Sequence, residues 1–219
     1  MIRALVDALL DVVYPPRCTA CGELLPATGA LGGLDARGEA LAGALCGRCS
    51  ETLLGAEAEP RASFLYGGQL AVAIERLKYG RLDWIARPLG RLWRESLPET
   101  VVARAFDAAV PVPLHPRRQA RRGFNQAALL ARPLGLPLAA RALRRVRDTP
   151  PQVGLGRAER LANVAGAFAV REAQRVAGRR LLVVDDVLTT GTTLAECARV
   201  LREAGAAHVA VLALAAADQ

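Results

Sequence analysis

Apolar positions run through this chain in distinct rhythms. At the N-terminus Ile2, Leu5, Val6, Leu9, Leu10 and Val13 recur at helical spacing, while Asp7 and Asp11 break the apolar run. No small-residue cleavage site follows, so the stretch reads as an amphipathic helix packed on its own protein rather than a targeting signal. From 61 to 104 the pattern predicts a short strand at 63–66 and helices at 69–78 and 84–95, punctuated by Gly80 and Pro98. From 105 onward strand and helix patterns alternate. Strands are expected near 108–113, 167–170, 180–185 and 208–214, and helices at 125–134 and 193–204. Gly205 stands where a helix-terminating glycine belongs. Such alternation predicts an α/β fold with a parallel sheet.

Residues 1–60 follow neither rhythm. They hold four of the five cysteines and many glycines, and GAEAEP, ending at Pro60, reads as a linker. The expected organisation is a small module over 1–60 and an α/β domain over 61–219. No segment reaches the roughly 18–20 uninterrupted apolar residues of a membrane span. Membrane insertion is therefore not expected, and the cytoplasm is the default location.

Composition changes this picture in two ways. Hydrophobic residues make up 52% of the 219 but aromatics only 4%, so the core must be built from Leu, Val and Ala. The net charge of +8 is uneven: residues 1–60 carry 4 Arg against 8 acidic residues, and 61–219 carry 25 basic residues against 13 acidic ones. A basic body fits an anionic partner, such as a phosphorylated metabolite or nucleic acid. With 28 Arg and one Lys, a GC-rich coding bias accounts for the excess equally well.

The densest chemistry lies at 181–194, LLVVDDVLTTGTTL. Four apolar residues fit a strand buried on both faces. Asp185 and Asp186 follow, at the strand end where open α/β sheets bind ligands. Then come Thr189, Thr190, Gly191, Thr192 and Thr193, leading into a helix. Gly191 lets the backbone curl, and successive N–H groups before a helix form an anion site. The two carboxylates suit ribose hydroxyls, which donate to acceptors. No Gly-Lys-Ser/Thr follows, which disfavours a nucleoside triphosphatase.

A second anion-binding stretch follows the strand at 108–113. Pro113, His115, Arg117, Arg118, Arg121 and Arg122 occupy a proline-rich turn, and nine arginines precede the first acid at Asp148. Arginine forks suit phosphate oxygens, although each alone is as readily a solvated surface residue. His115 shows no partner in sequence. Residues 148–163 form a long segment with two prolines and two glycines, read as a functional loop or the start of a helix.

Cys18 and Cys21, then Cys46 and Cys49, are two CxxC pairs separated by 24 residues. Two such turns complete a tetrahedral four-cysteine zinc site, closed by its four ligands and therefore structural. Disulfides or a redox pair are the alternatives. Cys197 falls in the last helical pattern and reads as a small buried hydrophobe.

The segment VVDDVLTTGTT resembles the PRPP-binding motif of type I phosphoribosyltransferases, PRPP being 5-phosphoribosyl 1-diphosphate. That resemblance implies that Asp185 and Asp186 hold the ribose, positioning the sugar for catalysis rather than acting as general bases. It assigns the 5′-phosphate to Thr189, Thr190, Gly191, Thr192 and Thr193. By position it gives the pyrophosphate to the turn of Pro113, His115, Arg117, Arg118 and Arg122. It also implies a closing loop containing Gln152, Arg157, Arg160 and Asn163, and Mg²⁺ arriving with PRPP.

Together with YPPRCTACG, LCGRCS, LKYG, VPVPLHPRR and RRGFNQA, these features resemble the competence protein ComF family over nearly the whole chain. The resemblance implies a zinc-ribbon module, a phosphoribosyltransferase domain and a link to DNA uptake and natural transformation. It leaves three functions open: transfer of a phosphoribosyl group, binding of PRPP, a nucleotide or single-stranded DNA without turnover, and docking of uptake proteins or a second copy of the chain.

Overall fold

The computed structural model describes residues 15–25, 44–98, 105–149 and 157–217. The expected N-terminal helix and Gln152 lie outside the described residues. A four-stranded parallel sheet forms the centre, in the order β1–β6–β5–β2. Its strands are β1 (Ala62–Leu65), β2 (Ala108–Pro111), β5 (Arg180–Leu188) and β6 (His208–Ala216). An antiparallel pair, β3 (Leu143–Arg145) with β4 (Phe168–Val170), stands apart.

Among the described residues the α-helices are α1 (Gly47–Ser50), α2 (Gly68–Tyr79), α3 (Ala86–Glu95), α4 (Pro116–Arg122), α5 (Gln126–Ala131), α6 (Arg157–Val164) and α7 (Thr192–Glu203). They cover both faces of the sheet, because the strand side chains alternate. Leu182 and Val184 join one buried cluster with Leu70, Ile74, Leu77, Leu89 and Leu130. Leu181 and Val183 join the other with Leu194, Cys197 and Leu201 of α7. Each such Leu, Ile or Val stabilises the fold by about 1.5–3 kcal/mol when fully buried. Cys197 is fully buried, as a small apolar residue would be.

Two local outcomes differ from the pattern reading. Strand β5 runs three residues past Asp185, pairing with β6 as far as Leu188↔Ala216. The two aspartates interrupt the apolar run without ending the ladder, because backbone pairing does not depend on side-chain polarity. The segment PRRQARR forms α4 although none of its residues is buried. Local signals suffice: His115 caps the start by accepting from Arg117 N, Pro116 opens the first turn, and Arg121 and Arg122 face the negative end of the dipole. Gly123, at φ +88°, terminates it.

The cysteine-bearing segment packs directly on this body. Leu65 N donates to Leu54 O across 2.8 Å, so the chain after the second CxxC runs beside β1. Cys18 and Cys49 belong to the same buried cluster as Leu70 and Trp93.

Candidate functional site

The site forms where β2 ends beside Val184 of β5, which runs on to Leu188. Val112 N donates to Val184 O, which brings the turn after β2 next to the carboxylates of β5. Ligands of open α/β sheets bind in such crevices at the carboxyl ends of the strands. A cavity of about 470 Å³ opens there. One wall carries Asp185, Asp186, Thr189 and Thr193. A second carries Arg118, Arg122 and Arg145, and a third carries Tyr66, Glu75, Lys78 and Tyr79.

Asp186 is buried at 4% exposure. Its Oδ1 receives Lys78 Nζ at 2.8 Å, while its Oδ2 is buried with no partner. A buried carboxylate oxygen left unmatched costs free energy unless a ligand completes it. Burial pulls the Lys78 ammonium down, but Asp186 and then Asp185 more than offset it, holding it above the ordinary lysine value. Burial, then the charge of Asp186, push the Asp185 carboxyl up to about 7, against the pull of Lys78 and Arg145.

Four of the five loop residues, Thr189, Gly191, Thr192 and Thr193, line with Asp185 a small cup of about 20 Å³ at the start of α7; Thr190 does not line it. Thr190 Oγ1 lies 3.1 Å from Thr192 Oγ1. Gly191 sits at φ +76°, and a Cβ there would lie 3.3 Å from Leu188 Cδ1 and 3.2 Å from Arg61 Nη1. A side chain would therefore both strain the turn and crowd it.

Helix α4 divides the arginine run. Arg118 and Arg122, four residues apart, share the face toward the cavity. Arg118 pairs with Asp148 at 3.6 Å and donates to Thr149 O. Arg122 donates to Gln126 Oε1 at 2.5 Å and lies 5.7 Å from the centre of the Tyr79 ring. Arg117 and Arg121 are exposed. Pro113 is buried behind the turn. His115 caps α4 through Nδ1, which accepts from Arg117 N and lies 3.6 Å from Asp148 Oδ1, a neighbour hidden in the sequence. Neither Pro113 nor His115 lines the cavity. Arg157, Arg160 and Asn163 fall on α6, so this part of the expected loop is helical.

Reading the sequence by motif missed Lys78, Arg145, Glu75 and Tyr66. Arg145, on β3, donates to Thr149 Oγ1 and lies over the Phe168 ring at 5.3 Å. Burial, then neighbouring Arg118, lower its pKa. A three-residue strand shows no period, so nothing local marks Arg145. Lys78 did carry a signal: it is the sole lysine among 29 basic residues.

The four cysteines form a second centre. Their Sγ atoms all lie within 4.8 Å of one another, and Cys21 Sγ is 3.8 Å from Cys46 Sγ. Sulfurs about 2.3 Å from a tetrahedral ion stand at that spacing, so the set fits a metal such as zinc. Gly22 at φ +80° turns the first pair, and Thr19 ties it to the second by donating from both N and Oγ1 to Ala44 O. Among the described residues no helix is long and apolar enough to cross a membrane.

Comparison with known proteins agrees with this arrangement. Residues 120–219 match the family described as phosphoribosyl transferase domain. The chain is 36% identical over 156 residues to Competence protein F of Haemophilus influenzae, covering 68% of each chain. It is 41% identical over 159 residues to DNA utilization protein YhgH of Escherichia coli K12, again covering 68% of each. It is 29% identical over 154 residues to Competence protein ComFC of Streptococcus pneumoniae, covering 70% of this chain and 66% of that one. By this shared sequence, and by the four-cysteine cluster joined to a phosphoribosyltransferase-type sheet, the chain belongs to the ComF family.

Proposed function

We propose that the cavity at the ends of β2 and β5 binds PRPP with Mg²⁺ and transfers or recognises its phosphoribosyl group, in a protein serving DNA uptake. The observation that carries this reading is the convergence of Asp185 and Asp186, the threonine loop and Arg118, Arg122 and Arg145 on one cavity. The unmatched Asp186 Oδ2 would accept from a ribose hydroxyl. The cup at Thr189–Thr193 would take the 5′-phosphate through backbone N–H groups and hydroxyls. Arg118, Arg122 and Arg145 would face the diphosphate and stabilise charge on the leaving group. The hard carboxylate oxygens of Asp185 and Asp186 fit Mg²⁺, which would neutralise that leaving group when bound. A zinc ion held by Cys18, Cys21, Cys46 and Cys49 would be structural.

The test is calorimetry on the metal-loaded chain with PRPP and Mg²⁺. Saturable binding at one site is expected, and its absence would sink the reading.

A second reading, single-stranded DNA binding, rests on another cavity of about 740 Å³ beside α3. Trp84, 41% exposed, lies there with Arg87, Arg91 and Arg132, while Asp83 and the nearby Glu95 temper the charge. An aromatic face beside guanidinium groups suits a base and its phosphate. Oligonucleotide affinity should then fall with salt, with a log–log slope of about −2 for three phosphate contacts. Trp84→Ala should cost about 1–3 kcal/mol. Affinity unchanged by salt would remove this reading.

A further inference from the structure

We propose that α2 is a strut between the cysteine cluster and the ligand cavity: Thr52 and Arg76 fasten it to the two cysteine turns, and Lys78 positions Asp186. The cavity end of this proposal rests on the PRPP reading.

Both fastenings reach backbone beside the thiolates. Arg76 Nη1 donates to Thr19 O at 3.0 Å and to Ala20 O at 2.6 Å, the two carbonyls between Cys18 and Cys21. At the other end, Thr52 Oγ1 donates to Cys49 O at 2.9 Å and accepts from Gln69 N at 3.1 Å. Gly68 meets Thr52 so closely that a Cβ would lie 2.9 Å from its side chain. The helix is thus held near its first and last turns by one CxxC turn each.

Between these points Leu70, Ala73, Ile74 and Leu77 are buried in the cluster that contains Cys18 and Cys49. A helix advances about 100° per residue, so Arg76 and Lys78 point to nearly opposite sides. Arg76 reaches the cysteine turn while Lys78 reaches Asp186. The helix ends directly afterwards. Gly80 N bonds Arg76 O, and a Cβ on Gly80 would lie 2.6 Å from that oxygen.

Lys78 does what an arginine would not. Its ammonium is a compact point charge, whereas a guanidinium tends to engage both oxygens of a carboxylate. Lys78 takes Oδ1 and leaves Oδ2 unmatched. In a chain whose other 28 lysine or arginine positions are all arginine, the lysine stands against a buried carboxylate of which it holds one oxygen. A bound metal stiffens the Cys18–Cys21 turn, hence the carbonyls that hold Arg76. Ligand affinity therefore depends on metal occupancy through α2.

The sole lysine also supplies the probe. Lysine labelled with ¹³C at Cε should report one side-chain signal, that of Lys78. In the full metal-loaded chain, Arg76→Gln is expected to retain the metal, weaken PRPP–Mg²⁺ binding about tenfold and move the Lys78 signal toward its position in Asp186→Asn. Arg76→Lys, which keeps a donor, should restore much of both. Chelation of the metal should move the signal further. Lys78→Arg should also lose affinity, because a guanidinium would engage Asp186 Oδ2 as well as Oδ1. An unmoved Lys78 signal in Arg76→Gln and after chelation overturns the strut, whatever PRPP does. A wild-type chain that shows these signal shifts but does not bind PRPP keeps the strut and removes the ligand reading instead.

Discussion

Asp185→Asn and Asp186→Asn should each cost ligand affinity but move stability in opposite directions. Hydrogen bonds to charged acceptors are worth about 1.5–3 kcal/mol each, so the double variant should bind PRPP about 10² times more weakly or worse. Stability separates the two. Asp186→Asn removes the anion from Lys78, whose side chain is 18% exposed against 5% for its partner. Leaving one member of a buried pair unmatched costs about 3 kcal/mol, the low end of the usual range because Lys78 retains some water contact.

Asp185 behaves otherwise, because the fold opposes its charge. Its carboxyl is pushed from 3.8 to about 7 by burial and by Asp186. A group whose folded pKa is raised favours the fold while protonated, and that contribution is lost as pH rises from about 4 through about 7. Asp185→Asn should therefore raise the unfolding midpoint, and its advantage over wild type should grow from pH 5 to pH 8. Ligand affinity should run the other way, rising through pH 7 as the carboxylate forms. The charged and titratable groups acting on Asp185 are Asp186, Lys78 on α2, Arg145 on β3 and Cys197 on α7. Burial, then Asp185, keep the Cys197 thiol far above its usual value, so it stays neutral in this window. Denaturant titration and calorimetry from pH 5.5 to 8.5 test both trends. A destabilised Asp185→Asn, or a flat affinity profile, contradicts this account. The trade is of a familiar kind: a site that must bind charge is built at the expense of stability.

Cys49→Ser should have the largest effect on stability. Structural zinc contributes of order 10 kcal/mol in small zinc peptides, and a closed site tolerates loss of a thiolate poorly. Metal content should fall far below one ion per chain. The thermal midpoint should fall by about 10 °C or more, since each kcal/mol is worth about 2–4 °C at this size. The damage should spread, because Cys49 is 3% exposed and shares its buried cluster with Leu70, Ile74 and Trp93. Cys21 is exposed, so Cys21→Ser should lose the metal with a smaller drop. Cys197→Ser, outside the cluster, should keep it. Colorimetric metal release alongside thermal melts decides the matter: full metal content in Cys49→Ser would show that the thiolates are not ligands.

Much of the site was legible because its parts are contiguous. The run from Leu181 to Leu194 orders a buried strand, two acids, a threonine loop and a helix start within fourteen residues, so the covalent chain itself sets their spacing. The cysteine pairs are legible for the same reason. The arginines were not. Read as a turn, 116–122 offers four equivalent side chains. As a helix it puts Arg118 and Arg122 on the cavity face and leaves Arg117 and Arg121 in water. That helix buries nothing, so no hydrophobic period announces it.

The sequence alone therefore determined which local chemistries exist: a threonine–glycine loop beside two carboxylates, two thiol turns, an α/β alternation. Only the tertiary structure decided which distant groups meet them. Pairing of β2 with β5 brings the arginine helix to the carboxylates. Packing of α2 across the cysteine turns brings Lys78, more than 100 residues earlier, onto Asp186. The reason is physical: backbone spacing dictates neighbours within a motif. Contacts between motifs follow from which apolar faces are buried together, and no single stretch of sequence records that.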